Sequence, residues 1–311
     1  MNAFNAVAPV FILLALGIWV RHKRWLSAAS VSQLNWLLYW ICLPALLFYK
    51  TSTAEIQLSK TLFTFAALAF GSLSTLLVSN LMSRMLALKP TGGTAFMQAG
   101  FRGNLAFVGL PIALLYGEAS GVEVGGLEAQ IYLLLAPSIL MYNLLGVWLI
   151  QMGVRREHGF VDQSIFIEIV KNPLILSICL GVLFSVSGLH LPIVIERTLS
   201  SLSGAVLPFA LIGVGASIEV NRLRRFGVAG PLAAIVKVVL NPLFGWLFAK
   251  LFGLSNEEIK LLVILMMAPT ASSAFILAKQ LGSDSDLTAK VILASVVGSF
   301  FTYALALAIL P

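Results

Sequence analysis

Charged side chains are scarce in this sequence of 311 residues. Asp, Glu, Lys and Arg together make up 11% of it, whereas hydrophobic residues make up 59%. Soluble domains carry about 25% charged residues, so the composition excludes an ordinary water-soluble fold. It indicates a multi-pass membrane protein, because each helical span needs about 20 mainly apolar residues to cross a bilayer.

Cysteine and histidine are also rare, with 2 and 3 residues. Cys42 and Cys179 lie in separate apolar runs, which excludes a disulfide framework and a zinc site built on paired cysteines. Nucleic-acid binding is disfavoured, because the basic residues behind the net charge of +7 stand between apolar runs, as in the loops of membrane proteins. We therefore expect no metal, no cofactor and no nucleic-acid partner, and the coupling ion, proton or sodium, stays open.

Ten apolar runs are long enough to cross a lipid bilayer. They lie at residues 4–20, 31–49, 61–83, 94–116, 127–150, 172–189, 199–217, 228–250, 258–279 and 289–310. With the N-terminus outside, most Lys and Arg residues fall at cytoplasmic ends and loops, as the positive-inside rule requires. The sequence thus predicts an all-α multi-pass protein of the plasma membrane, the inner membrane of a bacterium, with both termini non-cytoplasmic.

The two halves of the sequence match each other at a constant offset. Gly17 recurs as Gly181, and the Leu43–Phe48 segment recurs in outline as Leu207–Ile212. Five runs per half is an odd number, so the second half must enter the membrane inverted, an arrangement typical of secondary transporters. The predicted domains are a first five-helix repeat at residues 1–150, a cytoplasmic linker at 151–171 and a second, inverted five-helix repeat at 172–311.

The fourth and ninth runs are both interrupted near their midpoints. Gly100–Asn104 places two glycines, a charge and an amide in the fourth run, and Pro269–Ser273 places a proline and three hydroxyls in the ninth. Irregular backbone at membrane depth is tolerated only where protein or a water-filled cavity surrounds it, so we expect the two broken helices to cross. Half-helix N-termini near Asn104 and Thr270 would then present unpaired N–H groups that favour an anion.

Arg102 and Lys237 are the only basic residues deep inside apolar runs, and no Asp or Glu lies deep in any run. A charge at the centre of a membrane helix costs about 3 kcal/mol, so such residues usually serve a site. Arg102 suits a carboxylate through paired hydrogen bonds, although it could instead line a cavity wall. Lys237 could contact the anion, or it could be held by carbonyls that a half-helix end frees.

The candidate substrate-binding residues lie at the two breaks and in neighbouring runs. They are Arg102, Gly103, Asn104, Asn143, Lys237, Pro269, Thr270, Ser272 and Ser273. Asn104 is the strongest candidate, because its amide both donates and accepts hydrogen bonds and Gly103 gives it a flexible neighbour. Asn143 could equally join two helices, and the two serines could merely satisfy carbonyls exposed by Pro269.

Several sequence motifs carry a family resemblance. They are Gly103–Pro111, Leu43–Phe48, Asn172-Pro173, and Ala268–Ser273 with Ala278-Lys279. Together they resemble the auxin efflux carrier family, within the bile, arsenite and riboflavin transporter-like superfamily, and the resemblance covers essentially the whole chain. This family includes plant auxin exporters and bacterial carriers for malate, malonate and related acids. The long hydrophilic loop of many plant members is absent, so the sequence looks like the compact bacterial type.

The resemblance implies an architecture and a mechanism. Helices 1, 2, 6 and 7 would form a scaffold, and helices 3–5 and 8–10 a transport domain that moves like an elevator. The fourth and ninth helices would cross at Asn104 and Pro269, with the substrate carboxylate beside the crossing. Members of the family are commonly homodimers through the scaffold helices.

We therefore predict a secondary transporter of a small organic anion, a mono- or dicarboxylate, by alternating access. Two alternatives stay open, a sodium-coupled carrier like the bile-acid symporters and an anion channel. The lack of a deep Asp or Glu disfavours the sodium-coupled alternative. An enzyme is disfavoured, because no run supplies an acid–base pair or a metal constellation.

Overall fold

The computed structural model describes residues 3–53, 58–120, 124–159, 172–217 and 227–309. Within these ranges the chain is helical and has no strand, which confirms the all-α prediction. The α-helices are α1 (Ala3–His22), α2 (Ala28–Leu37), α3 (Leu43–Ser52), α4 (Leu58–Met85), α5 (Pro90–Phe101), α6 (Leu110–Ser120), α7 (Val124–His158), α8 (Pro173–Val186), α9 (Ile193–Ala216), α10 (Ala229–Ile235), α11 (Asn241–Leu251), α12 (Asn256–Met266), α13 (Ser272–Gln280) and α14 (Ser285–Ile309). The π-helical segments are π1 (Leu38–Cys42), π2 (Leu105–Gly109) and π3 (Val236–Leu240).

Six helices of the described residues are long and apolar enough to cross a membrane, and shorter apolar helices accompany them. The prediction of a multi-pass membrane protein is confirmed at this level, whereas the number of ten spans and the inverted repeat stay predictions. The predicted linker begins as helix, because α7 continues without interruption to His158. Residues 160–171, the remainder of that linker, lie outside the described residues.

Each π-helical segment ends two residues before a proline. Pro44, Pro111 and Pro242 follow π1, π2 and π3 respectively, as the second residue of the next α-helix. Proline has no N–H to donate, and its ring clashes with the carbonyl four residues earlier in a regular α-helix. Widening the preceding turn to π geometry relieves that clash, so the helix continues past the proline instead of ending.

The chain divides into two compact units, each gathering segments that are far apart in sequence. The first unit comprises residues 1–62, 106–139 and 167–218, and the second comprises residues 63–105, 140–166 and 219–311. Every residue of the candidate site belongs to the second unit. The division into two repeats, and into scaffold and transport helices, stays a prediction.

Glycine allows the helices of the first unit to approach at backbone distance. α1 packs on α9, and α3 packs on α8. A Cβ added at Gly17 would lie 2.9 Å from the amide nitrogen of Ala216, and one at Gly215 would lie 2.9 Å from the carbonyl carbon of Leu14. Close approach of this kind is how helices associate in lipid, where van der Waals packing replaces the hydrophobic effect.

Helix α5 is enclosed in the second unit, where every residue of Gly92–Phe101 is buried. Ala95 and Phe96 pack against Ala233 of α10 and Val291 of α14. Contacts with two other helices fix α5 in place. Its C-terminal end, where the fourth apolar run breaks, is therefore held in a defined position.

Candidate functional site

Both predicted helix breaks are present. Helix α5 ends at Phe101, and helical structure resumes at Leu105, so residues 102–104 are non-helical. Helix α12 ends at Met266, and α13 begins at Ser272. The new helices start one residue after Asn104 and two residues after Thr270, close to the expected half-helix starts.

The two breaks contact each other through their main chains. Asn104 N–H donates to the carbonyl oxygen of Pro269 at 2.8 Å, and Ala271 N–H donates to the carbonyl oxygen of Arg102 at 3.0 Å. These bonds form an isolated antiparallel bridge between Gly103 and Thr270. Each break thereby satisfies backbone groups of the other, which is what non-helical backbone inside a membrane requires. We call residues 102–104 and 267–271 the crossing.

Thr270 is 1% exposed and connects the crossing to neighbouring helices by hydrogen bonds. Its hydroxyl donates to the carbonyl oxygen of Ala99 at 2.7 Å, and its amide donates to the hydroxyl oxygen of Ser295 at 3.0 Å. Because both of its hydrogens are used within the protein, Thr270 holds the crossing in place and would offer a ligand only an acceptor oxygen.

Lys237 lies in π3, is fully buried and contacts the end of α12. Its Nζ donates to the carbonyl oxygen of Met266 at 2.7 Å, and the amide nitrogen of Asn241 donates to the same oxygen at 3.2 Å. That carbonyl would accept from the N–H of Thr270 if α12 continued, but this N–H donates to Ser295 instead. The sequence left two roles open for Lys237, and the structure shows the second of them, a hydrogen bond to a carbonyl that the helix end frees.

Arg102 forms hydrogen bonds with side chains. One terminal nitrogen donates to Oδ1 of Asn143 at 2.6 Å and to the hydroxyl oxygen of Ser273 at 3.2 Å. Asn143 belongs to α7 and Ser273 to the first turn of α13, so the guanidinium joins two helices. The N-terminal end of α13 carries partial positive charge as well, since its first N–H groups have no acceptor within the helix.

The buried charge of the described residues has one sign. Arg102 and Lys237 are the buried charged side chains, and no Asp or Glu of these residues is buried. Asn104 is 6% exposed and is the last residue of its break, directly before π2. Ser272 is partly exposed beside Ser273. This region can therefore attract an anion, and it has no buried carboxylate with which to hold a metal cation.

Sequence reasoning missed three polar residues of this region. Asn241 accepts from the hydroxyl of Thr75 at 3.1 Å and donates to the carbonyl oxygen of Met266. Ser295 accepts from the N–H of Thr270. Gln98 is fully buried in α5. Asn241 follows the buried Lys237 by four residues, and Gln98 precedes the buried Arg102 by four residues, a spacing that brings side chains close together in helical sequence. That spacing was the available signal for both.

Comparisons with known proteins agree with a transporter. The sequence profile of a family described as "Membrane transport protein" matches residues 2–307. A protein of Rhizobium meliloti (strain 1021) named "Putative malonate transporter" is 25% identical over 303 residues, which cover 95% of this chain and 92% of that protein. An uncharacterized transporter of Methanocaldococcus jannaschii is 25% identical and matches over 98% of each chain. Among solved structures, the sodium proton antiporter MjNhaP1 of the same archaeon has a TM-score of 0.57 at 17% identity, covering 97% of this chain and 91% of that chain, which shows a similar fold.

Proposed function

Because the chain belongs to the membrane transport protein family, the auxin efflux carrier family, we propose that it is a secondary transporter of a small organic anion. The substrate is a mono- or dicarboxylate. The name of the Rhizobium meliloti relative makes malonate the first compound to test. The protein acts without chemical conversion of its substrate, in the bacterial inner membrane, with both termini non-cytoplasmic.

One observation carries this proposal: two broken helices cross where all buried charge is positive. A carboxylate bound beside Asn104 receives hydrogen bonds from the amide of that residue and from the guanidinium of Arg102. The N-terminus of α13 adds favourable partial charge. Lys237 lies close to the crossing and adds to its basic character, since a Cβ at Gly103 would lie 3.2 Å from its Nζ.

An elevator movement is compatible with a site whose residues all belong to one compact unit. The main-chain hydrogen bonds between the two breaks, and the bonds of Arg102 to Asn143 and Ser273 and of Lys237 to Met266, join residues of the second unit. A site whose partners lie in one unit keeps its geometry while that unit is carried across the membrane. We assign the movement to the predicted transport helices, the third to fifth and the eighth to tenth apolar runs, and the dimer contact to the predicted scaffold helices, the first, second, sixth and seventh runs. Residues 106–139, which include parts of the fourth and fifth runs, belong to the first unit, so this assignment is not identical with the division into units.

Sodium coupling is disfavoured by the position of Lys237. A sodium ion at a helix break needs oxygen ligands, and the Met266 carbonyl already accepts from the ammonium of Lys237 and from Asn241. The protein therefore carries its own cation at the place where a coupling metal ion would bind. Uptake that proceeds equally in sodium and in choline buffer is the expected result.

Solute counterflow tests the proposal. Purified protein in liposomes loaded with unlabelled malonate should accumulate labelled malonate transiently, because a carrier exchanges one substrate for another. Malate and acetate are tested in parallel, and a small organic cation serves as the negative control. Flux of carboxylates without counterflow would indicate a channel, and flux of the cation alone would contradict the proposed anion selectivity.

Cysteine labelling tests the membrane orientation. The predicted topology places Lys23 on the cytoplasmic side and Thr53 on the opposite side, and both side chains are exposed. A membrane-impermeant maleimide added to intact cells should label Thr53→Cys and not Lys23→Cys, in a background with Cys42 and Cys179 replaced. Labelling of both positions from outside would overturn this orientation.

A further inference from the structure

Gln98 has a buried amide that no described residue satisfies. The side chain is fully buried in α5, and neither its Nε2 nor its Oε1 has a hydrogen-bond partner among the described residues. Most buried polar side-chain atoms in proteins are hydrogen-bonded, and an unsatisfied one costs free energy. Replacement by an apolar side chain of the same size would remove that cost, so the presence of an amide here calls for an explanation.

Gly146 of α7 faces this amide. A Cβ added at Gly146 would lie 3.1 Å from Nε2 of Gln98 and 2.9 Å from a terminal nitrogen of Arg102. Both nitrogen donors therefore point to the same side of one glycine. Any larger residue at position 146 would occupy the space between them.

Gln98 lies in the last turn of α5, four residues before Arg102, which directly follows the helix. The N–H of Arg102 donates to the carbonyl oxygen of Gln98 at 3.1 Å. Their Cα atoms are therefore separated by one helical turn, about 6 Å along the axis. Arg102 continues into the crossing, and Gln98 lies one turn further from it. A ligand bound to both the crossing and Gln98 must carry two acceptor groups a short distance apart.

We propose that Gln98, Arg102 and the backbone of Gly146 form a second carboxylate subsite, which selects short dicarboxylates over monocarboxylates. This inference rests on the proposed function, because the first carboxylate occupies the place beside Asn104. The second carboxylate accepts from the amide of Gln98 and from the guanidinium of Arg102, which is charge-assisted and therefore strong. The amide of Gln98, which no described residue satisfies, thus gains its partner from the substrate.

The ends of the two side chains can part to admit the ligand. Gln98 and Arg102 both reach Gly146 with long, unbranched side chains, so their terminal groups can move while the backbone of α5 stays in place. Arg102 donates to Asn143 and Ser273, and in the proposed complex it turns part of its guanidinium toward the dicarboxylate. A bound water molecule is the competing occupant, and it would leave substrate selectivity unaffected by Gln98.

Gln98→Met tests the subsite, because methionine keeps the size of the side chain and removes its polar atoms. We expect purified Gln98→Met protein to unfold at the same temperature as the wild type or higher. Its affinity for malonate should fall about ten- to hundredfold, the effect of losing a hydrogen bond to a charged group. Uptake of acetate, which has one carboxylate, should stay within about twofold of the wild type.

Gly146→Ala provides a second test, and Gly204→Ala is its matched control. The Gly146 methyl group would meet the flexible ends of two side chains, whereas a Cβ at Gly204, also in a helix, meets nothing within 4 Å. We expect a selective loss of malonate uptake in the first variant and none in the second. Equal loss of malonate and acetate uptake in Gly146→Ala would show a packing role and overturn the subsite.

The outcomes separate this inference from the proposed function. If the wild type transports acetate and malonate and Gln98→Met retains the malonate affinity of the wild type, the subsite is wrong and a water molecule or plain packing explains Gln98. If the wild type transports no carboxylate at all, the proposed function itself fails. If Gln98→Met does not fold, the malonate-to-acetate ratio of Gly146→Ala decides.

Discussion

Lys237 and Arg102 are both buried in the second unit, but Lys237 donates to a main-chain carbonyl whereas Arg102 donates to the side chains of Asn143 and Ser273. The carbonyl of Met266 is fixed by the end of α12, so Lys237 can exchange its partner only if that helix end moves. The partners of Arg102 can rotate about their own bonds. Two buried basic side chains thus have different kinds of partner, a main-chain carbonyl for Lys237 and rotatable side chains for Arg102. This difference supports the proposal that Lys237 stabilises the crossing and Arg102 contacts the ligand.

The largest expected effect is that of Asn104→Ala, at the place where both cations act on the substrate. Loss of the amide removes a donor and an acceptor beside the crossing, so uptake of every carboxylate should fall at least about a hundredfold. The main-chain bonds between Asn104 and Pro269 do not need the side chain, so the protein should stay folded. Initial uptake rates in liposomes measure the loss of transport, and size-exclusion profiles show whether the variant is folded. Wild-type uptake in this variant would mean that the crossing is not the binding site.

Arg102→Gln should affect transport strongly and stability weakly. A guanidinium bonded to side chains is replaced by a neutral group that can still contact Asn143, while the carboxylate loses a charge-assisted partner. We expect carboxylate affinity to fall about ten- to hundredfold, as read from the concentration dependence of uptake. A decrease in unfolding temperature as large as that of Lys237→Ala, with unchanged carboxylate affinity, would show that Arg102 is a structural residue like Lys237.

Lys237→Ala should show the opposite profile. The variant leaves a cavity and deprives the Met266 carbonyl of its shorter hydrogen bond, whereas relief of a buried charge offsets part of that loss. We expect a net destabilisation of about 2 kcal/mol, visible as a lower unfolding temperature in detergent. Uptake of malonate and acetate should decline in the same proportion, and loss of one substrate alone would place Lys237 in direct contact with it.

Thr270→Val should have the smallest effect of the four. Valine keeps the shape of threonine, but the carbonyl of Ala99 loses its hydroxyl donor inside the protein. A buried group left unsatisfied costs about 1–3 kcal/mol, so the unfolding temperature should decrease while the preference among carboxylates stays that of the wild type. A changed preference would mean that the Thr270 hydroxyl contacts the substrate.

The helix breaks could be predicted because their causes are local. Glycine at 103 and proline at 269 weaken or block a helix wherever they occur, so the interruptions appear in the sequence itself. The predicted ends of the helices are less accurate than the predicted breaks, because the polar first turn of a helix lies outside the apolar run from which the span is predicted. Helix α12 begins two residues before the predicted span, where Ser255 and Glu258 form a reciprocal hydrogen-bonded cap.

The supporting contacts could not be predicted, because they depend on tertiary neighbours. The hydroxyl of Thr270 finds a carbonyl 171 residues away in sequence, and no pattern near Thr270 indicates which one. The sequence also left two roles open for Lys237, and only the position of Met266 beside it distinguishes between them. The π-helical segments did have a local signal, the proline that follows each.

Locating a bound dicarboxylate directly tests the claim that the crossing binds an organic anion. Crystals of the protein grown with bromomalonate would reveal the bromine by its anomalous scattering. We expect an anomalous peak beside Asn104 and Arg102, absent from crystals of Asn104→Ala grown in the same way. A peak at residues of the first unit, or one that persists unchanged in Asn104→Ala, would contradict that claim.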